Sequence, residues 1–176
     1  MNIAPEDFGK LFTEFEREAF RLETLDDYSK SGGVDAYEAF LAGKPQPESY
    51  KSSGWVTTVR DATQAGRRMY RVHILNRPLS DYLRFELGWG YVRNQGAGEE
   101  FFILDTTEQV NPLDGVPDFW AFDERVVVSM KYGDAGAFLG AEIAPEGRAQ
   151  EWLERRDTAM NHAVPFPEWW DRHKPE

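Results

Sequence analysis

The residues of this sequence best suited to chemistry lie on one predicted strand, Met69–Leu75. Arg71 and His73 share one face of it, opposite an apolar face, because side chains alternate along a strand. A guanidinium group can hold an anion through two parallel hydrogen bonds, and an imidazole can move a proton near neutral pH. This polar face of a central strand therefore needs a ligand or a buried partner to account for it.

Glu86 is the acid most suited to join this face. Helical geometry places it between Tyr82 and Trp89, at the flank of an apolar stripe on the helix after the strand. An unpaired carboxylate there would be costly, so we expect Arg71 or Arg84 to neutralise it. The result is either a buried structural ion pair, which we favour, or part of a ligand pocket. The candidate ligand- or partner-binding residues are Arg71, His73, Tyr82, Arg84, Glu86, Trp120 and Asp123.

The acidic residues of the stretch Asp118–Ile143 indicate sheet rather than catalysis. Asp118 and Asp123 bracket a short apolar strand, so they lie at its opposite ends and cannot easily share one substrate atom. Asp123 and Glu124 are typical of a hairpin turn. The pair Glu99–Glu100 is expected in a solvated loop before a strand. No catalytic residue is predicted.

Motifs for cofactors and metals do not occur. The glycines between residues 88 and 98 lie at the end of a helix, whereas a dinucleotide-binding loop needs them between a strand and the start of a helix. His73, His162 and His173 are far apart, and none has a second ligand at metal spacing on its own element. We therefore expect neither a metal site nor a cofactor.

Composition limits the class of protein. A chain of 176 residues with 41% hydrophobic residues fits one folded domain. It has no cysteine, no signal-peptide pattern and no apolar run long enough to cross a membrane, so we expect a cytoplasmic protein. A net charge of −11 disfavours direct nucleic-acid binding and is compatible with a basic protein partner. A homo-oligomeric scaffold is a further possibility.

The spacing of apolar residues predicts an α/β (α+β) fold. Helices are expected over residues 5–23, 34–42, 53–66 and 145–163, with another opening at Pro78–Leu79. Strands are expected at Met69–Leu75, Phe101–Leu104, Phe119–Phe122, Arg125–Tyr132 and Ala137–Ile143. The first two strands flank a helix as a parallel βαβ crossover, and the last three form an antiparallel meander, in a mixed sheet of about five strands.

These elements predict a single domain with three parts. Residues 1–50 are expected to form a helical N-terminal extension, residues 53–163 the α/β core, and residues 164–176 an aromatic C-terminal tail. The tail is too rich in proline to continue the last helix. Trp169 and Trp170 could anchor on a partner surface or fold back onto the core, and we favour the second interpretation.

The chain resembles a family of actinobacterial proteins of unknown function, through the blocks EFEREAFRLETLDDYSKSG, RVHILNRPLSDYLRFEL, AGEEFFIL and DFWAFDERVVV. The resemblance runs from about Phe15 to Ala163. Members of that family typically lie beside helix-turn-helix regulators and small companion proteins, which implies a regulatory or toxin–antitoxin-like accessory role. The resemblance supplies no reaction.

The order of elements is also similar, more distantly, to half of a phospholipase D-like domain. That superfamily includes degenerate versions that serve as sensor modules in transcriptional regulators, and its enzymes use a His-x-Lys motif followed by an Asp. Aligning that Asp with Asp123 places Val116 and Asp118 where the His and Lys should be. The nucleophile is therefore missing.

The sequence thus favours a non-enzymatic cytoplasmic accessory protein that binds a protein partner, either a basic helix-turn-helix regulator or a toxin–antitoxin-like companion. The alternative is a small-molecule sensor or a cryptic phosphodiesterase-like enzyme. Its pocket would lie around Arg71, Arg84 and Glu86.

Overall fold

A seven-stranded mixed sheet forms the centre of the computed structural model, which describes residues 1–176. Its strands are β1 Glu18–Glu23, β2 Arg68–Leu75, β3 Glu100–Asp105, β4 Phe119–Phe122, β5 Val126–Tyr132, β6 Phe138–Ile143 and β7 Val164–Pro165. The order across the sheet is β6-β5-β4-β1-β2-β3-β7. Strands β1, β2 and β3 are parallel, and all other neighbours are antiparallel. The predicted α+β fold is confirmed, with seven strands instead of about five.

Eight helices surround this sheet. They are α1 Pro5–Glu14, α2 Val34–Leu41, α3 Glu48–Lys51, α4 Gly54–Gln64, α5 Asp81–Phe85, α6 Val92–Gly96, α7 Ala149–His162 and α8 Phe166–His173. A π-helical segment, Glu86–Tyr91, joins α5 to α6 without a break. The Ser80 side chain accepts a hydrogen bond from the Leu83 amide, so this helix begins after Ser80 and not at Pro78. None of the helices combines the length and apolar character that a membrane crossing requires.

The helix predicted over residues 5–23 is wrong in its second half. That part of the chain forms β1, which lies in the middle of the sheet between β4 and β2. Phe20 and Leu22 face one side of the sheet, and Arg21 and Glu23 face the other. Because both faces of β1 are covered, buried charges alternate with buried apolar residues, and the pattern resembles that of an amphipathic helix.

The two faces of the sheet differ in chemistry. One face is apolar and packs under α7; its cluster comprises Phe20, Leu22, Tyr70, Val72, Ile74, Leu104, Leu113, Phe119, Ala121, Val127, Leu153 and Ala159. The opposite face has an apolar cluster toward each end, one against α1 and α4 and the other against the helical stretch from α5 to α6 and α8. Between these clusters lies a row of buried polar side chains.

The aromatic C-terminal segment packs on the protein's own core, as the favoured interpretation predicts. Phe166 and Trp169 are 2% and 3% exposed. The Trp169 indole also donates a hydrogen bond to Asp105 on β3 at 3.0 Å. The segment does not continue α7, but it forms a separate helix, α8, that the proline content did not predict.

Asp123, in the β4–β5 hairpin, ties the beginning of β1 to the sheet. Its carboxylate accepts hydrogen bonds from the backbone amides of Glu16, Arg17 and Glu18 at 2.8, 2.7 and 3.0 Å. Asp123 and Glu124 have φ values of 53° and 58°, in the left-handed region, and they form the hairpin turn predicted at these residues. Burial by itself would raise the pKa of Asp123, but the three amides and Arg125 hold the pKa below its usual value. Asp123 thus has a structural role, which is to hold the start of β1 against the β4–β5 hairpin.

Asp123→Asn should lower the free energy of unfolding by about 1–3 kcal/mol at pH 7, because a neutral amide replaces the ionised acceptor. The folded-state pKa is lowered, so this contribution is present above the unfolded value of about 3.9 and is lost as the pH falls below it. Denaturant titrations should therefore show a larger loss at pH 7 than at about pH 3.

Asp134→Asn, in the exposed turn of the next hairpin, is the matched control. It should change the free energy of unfolding by less than about 0.5 kcal/mol at both pH values. Equal losses for Asp123→Asn at the two pH values would contradict the role assigned to its charge.

Candidate functional site

A row of charged side chains crosses the middle of the sheet, under the helices. It arises from the parallel register of β1 and β2, which pairs Arg21 with Arg71 and Glu23 with His73. The side chains of both arginines are 11% exposed, that of Glu23 is 2% exposed and that of His73 is inaccessible. Charges buried to this degree must be paired or carry a function.

Arg71 is fully engaged within the protein. Its Nε and Nη2 donate to the two carboxylate oxygens of Glu99 at 2.5 and 3.3 Å, and its Nη1 lies 3.3 Å from Glu23 Oε1. Trp55 and Trp120 flank the guanidinium, each with its ring 5.3 Å away. Arg71 therefore has no free donor pair for an anionic ligand, and Trp120 supports the ion pair.

Arg21 and Asp118 form a second buried ion pair, 3.2 Å apart. Asp118 also accepts hydrogen bonds from the Thr24 hydroxyl at 2.6 Å and the Tyr28 hydroxyl at 2.5 Å. The close approach of Gly136 holds the Tyr28 loop in place: a Cβ there would lie 2.4 Å from a backbone oxygen of that loop. Asp118 is thus a structural acceptor, and it lies at the opposite end of β4 from Asp123, as predicted.

Glu23, Tyr91 and His73 form a hydrogen-bonded chain. The Tyr91 hydroxyl is 2.7 Å from Glu23 Oε1 and 2.7 Å from His73 Nδ1, and His73 Nε2 is 2.9 Å from the Leu25 carbonyl oxygen. A carbonyl only accepts, so Nε2 carries a proton. The Tyr91 hydroxyl donates to Glu23 and therefore links Glu23 to His73.

Glu86 is the carboxyl group of this network that pairs with no arginine. Its Oε2 is enclosed, accepts no hydrogen bond and lies 3.8 Å from His73 Nδ1, and a protonated Glu86 can donate to the neighbouring Glu23 carboxylate. Burial and the neighbouring Glu23 raise the pKa of Glu86 well above its usual value. Burial would also raise the pKa of Glu23, but Arg71 and Arg21 lower it below its usual value. The two carboxyl groups are therefore inequivalent.

Glu86 opens onto a cavity of about 220 Å³ between α3, α4 and the π segment. The cavity is lined by Gly32, Gly33, Tyr50, Trp55, Arg71, Tyr82, Phe85, Glu86, Gly90, Tyr91, Arg93 and Asn94. Burial raises the pKa of Tyr50 to about 12, so its hydroxyl stays protonated at neutral pH. Depressions elsewhere on the surface reach about 410 Å³, but none of the larger ones reaches the charged row.

The π segment places the key groups of this cavity. A π turn is wider than an α turn and often marks a functional site. It directs Glu86 and Tyr91 toward the sheet and leaves Gly90 at the wall, where a Cβ would lie 3.2 Å from the Tyr50 hydroxyl. The cavity thus depends on a glycine at this position.

The structure brings together only part of the predicted set. Arg71, His73, Tyr82 and Glu86 converge, whereas Arg84 is exposed on the outer side of α5. Positions 84 and 86 are two residues apart and point to opposite sides of a helix, so the expected Arg84–Glu86 pair does not form. Arg71 does not pair with Glu86 either.

Sequence reasoning missed three members of this network. Arg21 and Glu23 were assigned to a helix, and Glu99 was expected in solvent although it is 1% exposed. The Glu99–Glu100 pair has one buried and one exposed member, because alternation at the start of β3 points them to opposite sides. The alternation of charged and apolar residues in AFRLE was the signal that could have indicated a strand.

Comparisons with known proteins identify the family. The chain belongs to the family described as a domain of unknown function (DUF6879), whose profile matches residues 6–171. No curated protein matches the sequence. Among solved structures, the phosphatidylserine synthase of Haemophilus influenzae Rd KW20 is similar with a TM-score of 0.44 and 9% identity, over 94% of this chain and 38% of that one. The chain thus spans well under half the length of that synthase.

Arg71→Met should lower the free energy of unfolding by about 3–5 kcal/mol, because it leaves Glu99 buried without its cation. Arg68→Met is the matched control on the same strand, since Arg68 pairs with Glu100 at the surface, and it should cost less than about 1 kcal/mol. Urea denaturation measures both.

Adding Glu99→Gln to Arg71→Met should recover part of the loss, because the orphaned charge is then removed. If Arg71→Met lowered the free energy of unfolding no more than Arg68→Met does, the buried ion pair would not be a constraint on the fold.

Proposed function

We propose that this member of the DUF6879 family is a non-enzymatic sensor module that binds a small, cationic, hydrogen-bond-donating ligand at Glu86. The observation that carries the proposal is Glu86, a buried carboxyl group at a cavity wall whose Oε2 accepts no hydrogen bond from the protein. Buried carboxylate oxygens are normally satisfied, so an orphan at a cavity wall indicates a missing partner.

The charges around the cavity support a cation. Three guanidinium groups, those of Arg21, Arg71 and Arg93, face four carboxyl groups, those of Glu23, Glu86, Glu99 and Asp118. A positively charged ligand beside Glu86 would offset this excess of carboxyl groups. The ligand would take the place of the water molecules that solvate a carboxylate at the protein surface and that Glu86 lacks in its buried position.

The walls of the cavity support a small organic or inorganic cation. Tyr50, Tyr82, Phe85 and Trp55 line it, and the faces of aromatic rings attract cations. Tyr50 and Tyr82 also bring hydroxyl groups to the wall that can hydrogen-bond to a ligand. The volume lies below the range of about 300–1,000 Å³ typical of drug-sized ligands, which favours a small molecule.

A phosphodiesterase-like reaction has no support at this site. Val116 and Asp118 stand where the enzymes of the phospholipase D superfamily have His and Lys, and Asp118 is saturated by Arg21, Thr24 and Tyr28. The binding role therefore takes precedence over a catalytic one.

A second candidate, compatible with the first, is docking on a protein partner. The N-terminal residues pair with one half of β6, the outermost strand, through Ile3 and Ala141. The other half presents Phe138 and Leu139, 45% and 68% exposed, beside a groove of about 380 Å³ against α1. An exposed apolar strand edge favours pairing with another chain.

The net charge of −11 favours a basic partner for that edge. On this proposal the chain acts in the cytoplasm of an actinobacterium beside a helix-turn-helix regulator or a toxin–antitoxin-like companion. The family resemblance supports that setting, and occupancy of the Glu86 cavity would be the signal that the module passes to its partner.

Thermal-shift titrations with small amines and guanidines, such as putrescine and methylguanidine, test the ligand site. Binding to the native state alone should raise the melting temperature with concentration. Glu86→Gln should weaken the interaction about tenfold to a hundredfold, since it removes a charged acceptor. Gly90→Ala should also weaken it, because its methyl group enters the cavity.

Glu100→Gln, at the surface of β3, is the control and should bind like the parent. A shift of the same size in Glu86→Gln would place the ligand elsewhere. No shift with any cation would contradict the proposal.

Leu139→Glu should abolish co-purification of a DNA-binding regulator from the native host, because it puts a charge on the apolar strand edge. The complex formed by the parent should weaken as salt is raised. Val110→Glu, at an apolar position that is still more exposed, is the control. Unchanged recovery with Leu139→Glu, or no regulator with the parent, would count against docking at this edge.

A further inference from the structure

We infer that the cation of the Glu86 site is a divalent transition-metal ion held by Glu23, His73 and Glu86. The inference rests on the proposed function and names the class of its ligand. Each of the three side chains offers one donor atom, and these atoms all lie within 4.8 Å of one another. They come from three separate elements, β1, β2 and the π segment, so no sequence spacing indicates the cluster.

His73 is oriented as a metal ligand would be. Its Nε2–H donates to the Leu25 carbonyl oxygen at 2.9 Å, which leaves Nδ1 facing the Tyr91 hydroxyl at 2.7 Å and Glu86 Oε2 at 3.8 Å. Metal-bound imidazoles almost always donate their other N–H to a carbonyl or carboxylate, and this contact fixes tautomer and ring orientation. The buried ring of His73 has no room to turn away.

The charge of the site favours a cation. With all groups ionised, the four carboxylates exceed the three guanidinium groups of Arg21, Arg71 and Arg93 by one charge. A metal cation would offset this excess and would coordinate the enclosed Glu86 Oε2, which accepts no hydrogen bond from the protein.

Small movements of Glu86 would complete the coordination. Around a tetrahedral zinc ion with bonds of about 2.0–2.2 Å, ligand atoms lie about 3.3–3.6 Å apart, so donor atoms now spread over 4.8 Å must close by about 1 Å. Glu86 is 14% exposed at the cavity, whereas Glu23 and His73 are buried, so Glu86 is the ligand free to close. The Tyr91 hydroxyl, 2.7 Å from donor atoms of both other residues, is available as a further oxygen donor.

The donor set selects the type of metal. Two carboxylates and one imidazole, without thiolates, suit Zn²⁺, Mn²⁺ or Fe²⁺. Ca²⁺ requires six to eight oxygen ligands and Mg²⁺ keeps an octahedral shell of oxygen atoms, so both should bind poorly beside a buried imidazole. The site is thus predicted to discriminate transition metals from alkaline-earth ions.

Equilibrium dialysis of the full chain, stripped of metal with a chelator, tests the inference with Zn²⁺, Co²⁺ and Mg²⁺ and no organic ligand. One equivalent of Zn²⁺ or Co²⁺ should be retained, and Co²⁺ should develop the visible absorption of a coordinated ion. Glu86→Gln should lower the affinity at least tenfold. Its melting temperature without metal should stay close to that of the parent, because glutamine has the same shape and Oε2 accepts no hydrogen bond from the protein.

Glu18→Gln is the matched control. Glu18 lies on the same strand as Glu23 and likewise accepts from a tyrosine hydroxyl and pairs with an arginine, but on the other face of the sheet. Its metal affinity should equal that of the parent. Tyr91→Phe provides a second variant, which should weaken binding without abolishing it.

The outcomes separate this inference from the proposed function. Loss of the metal in Glu86→Gln and its retention in Glu18→Gln would establish the site. Binding of amines without binding of Zn²⁺ or Co²⁺ would contradict the inference of a metal ion and would still support the proposed sensor function. Failure with both classes of cation would overturn both, and equal metal affinity in Glu86→Gln and the parent would reveal an adventitious surface ion.

Discussion

The buried ion pair between Arg71 and Glu99, extended to Glu23, is the constraint on which the structure depends. An unpaired charge in a protein interior costs several kcal/mol, so β1, β2 and the start of β3 must meet in a register that pairs all three. A slip by one residue would turn these charges onto the apolar face under α7. A buried ion-pair network adds little net stability compared with apolar packing. We therefore interpret its role as specifying one register of the strands in the sheet.

Glu86 differs from its neighbours because the network leaves it out. The π turn brings it from the helical layer to the sheet, beside Glu23 and His73, which both contact the Tyr91 hydroxyl. The fold pairs five charged groups, those of Arg21, Arg71, Glu23, Glu99 and Asp118, and leaves a sixth, Glu86, without a cation. Exceptions to the rule that buried charged groups are paired occur mainly at functional sites.

The cavity and the exposed strand edge lie on different parts of the same sheet. The cavity lies above β1 and β2, while the edge is β6, with β4 and β5 between them. The Tyr28 loop, next to the charged row, is locked against the β5–β6 hairpin at Gly136. Tyr132, near the end of β5, accepts a hydrogen bond from Arg21 at 2.9 Å. A change at the cavity thus has a short, packed route to the edge, which suits a module that couples a ligand to a partner.

The sequence by itself determined the class of fold, the parallel βαβ unit, the meander and the apolar face, since these follow from local periodicity and turn residues. It also indicated that Arg71, His73 and Glu86 belong together. Only the tertiary structure decided that β1 is a strand, that Glu99 is buried and that Arg84 is not part of the site. The physical reason is that the burial of a charged side chain cannot be read from its neighbours in the sequence. Whether Glu23 or Glu99 contacts water or a guanidinium group depends on residues that are distant in the chain.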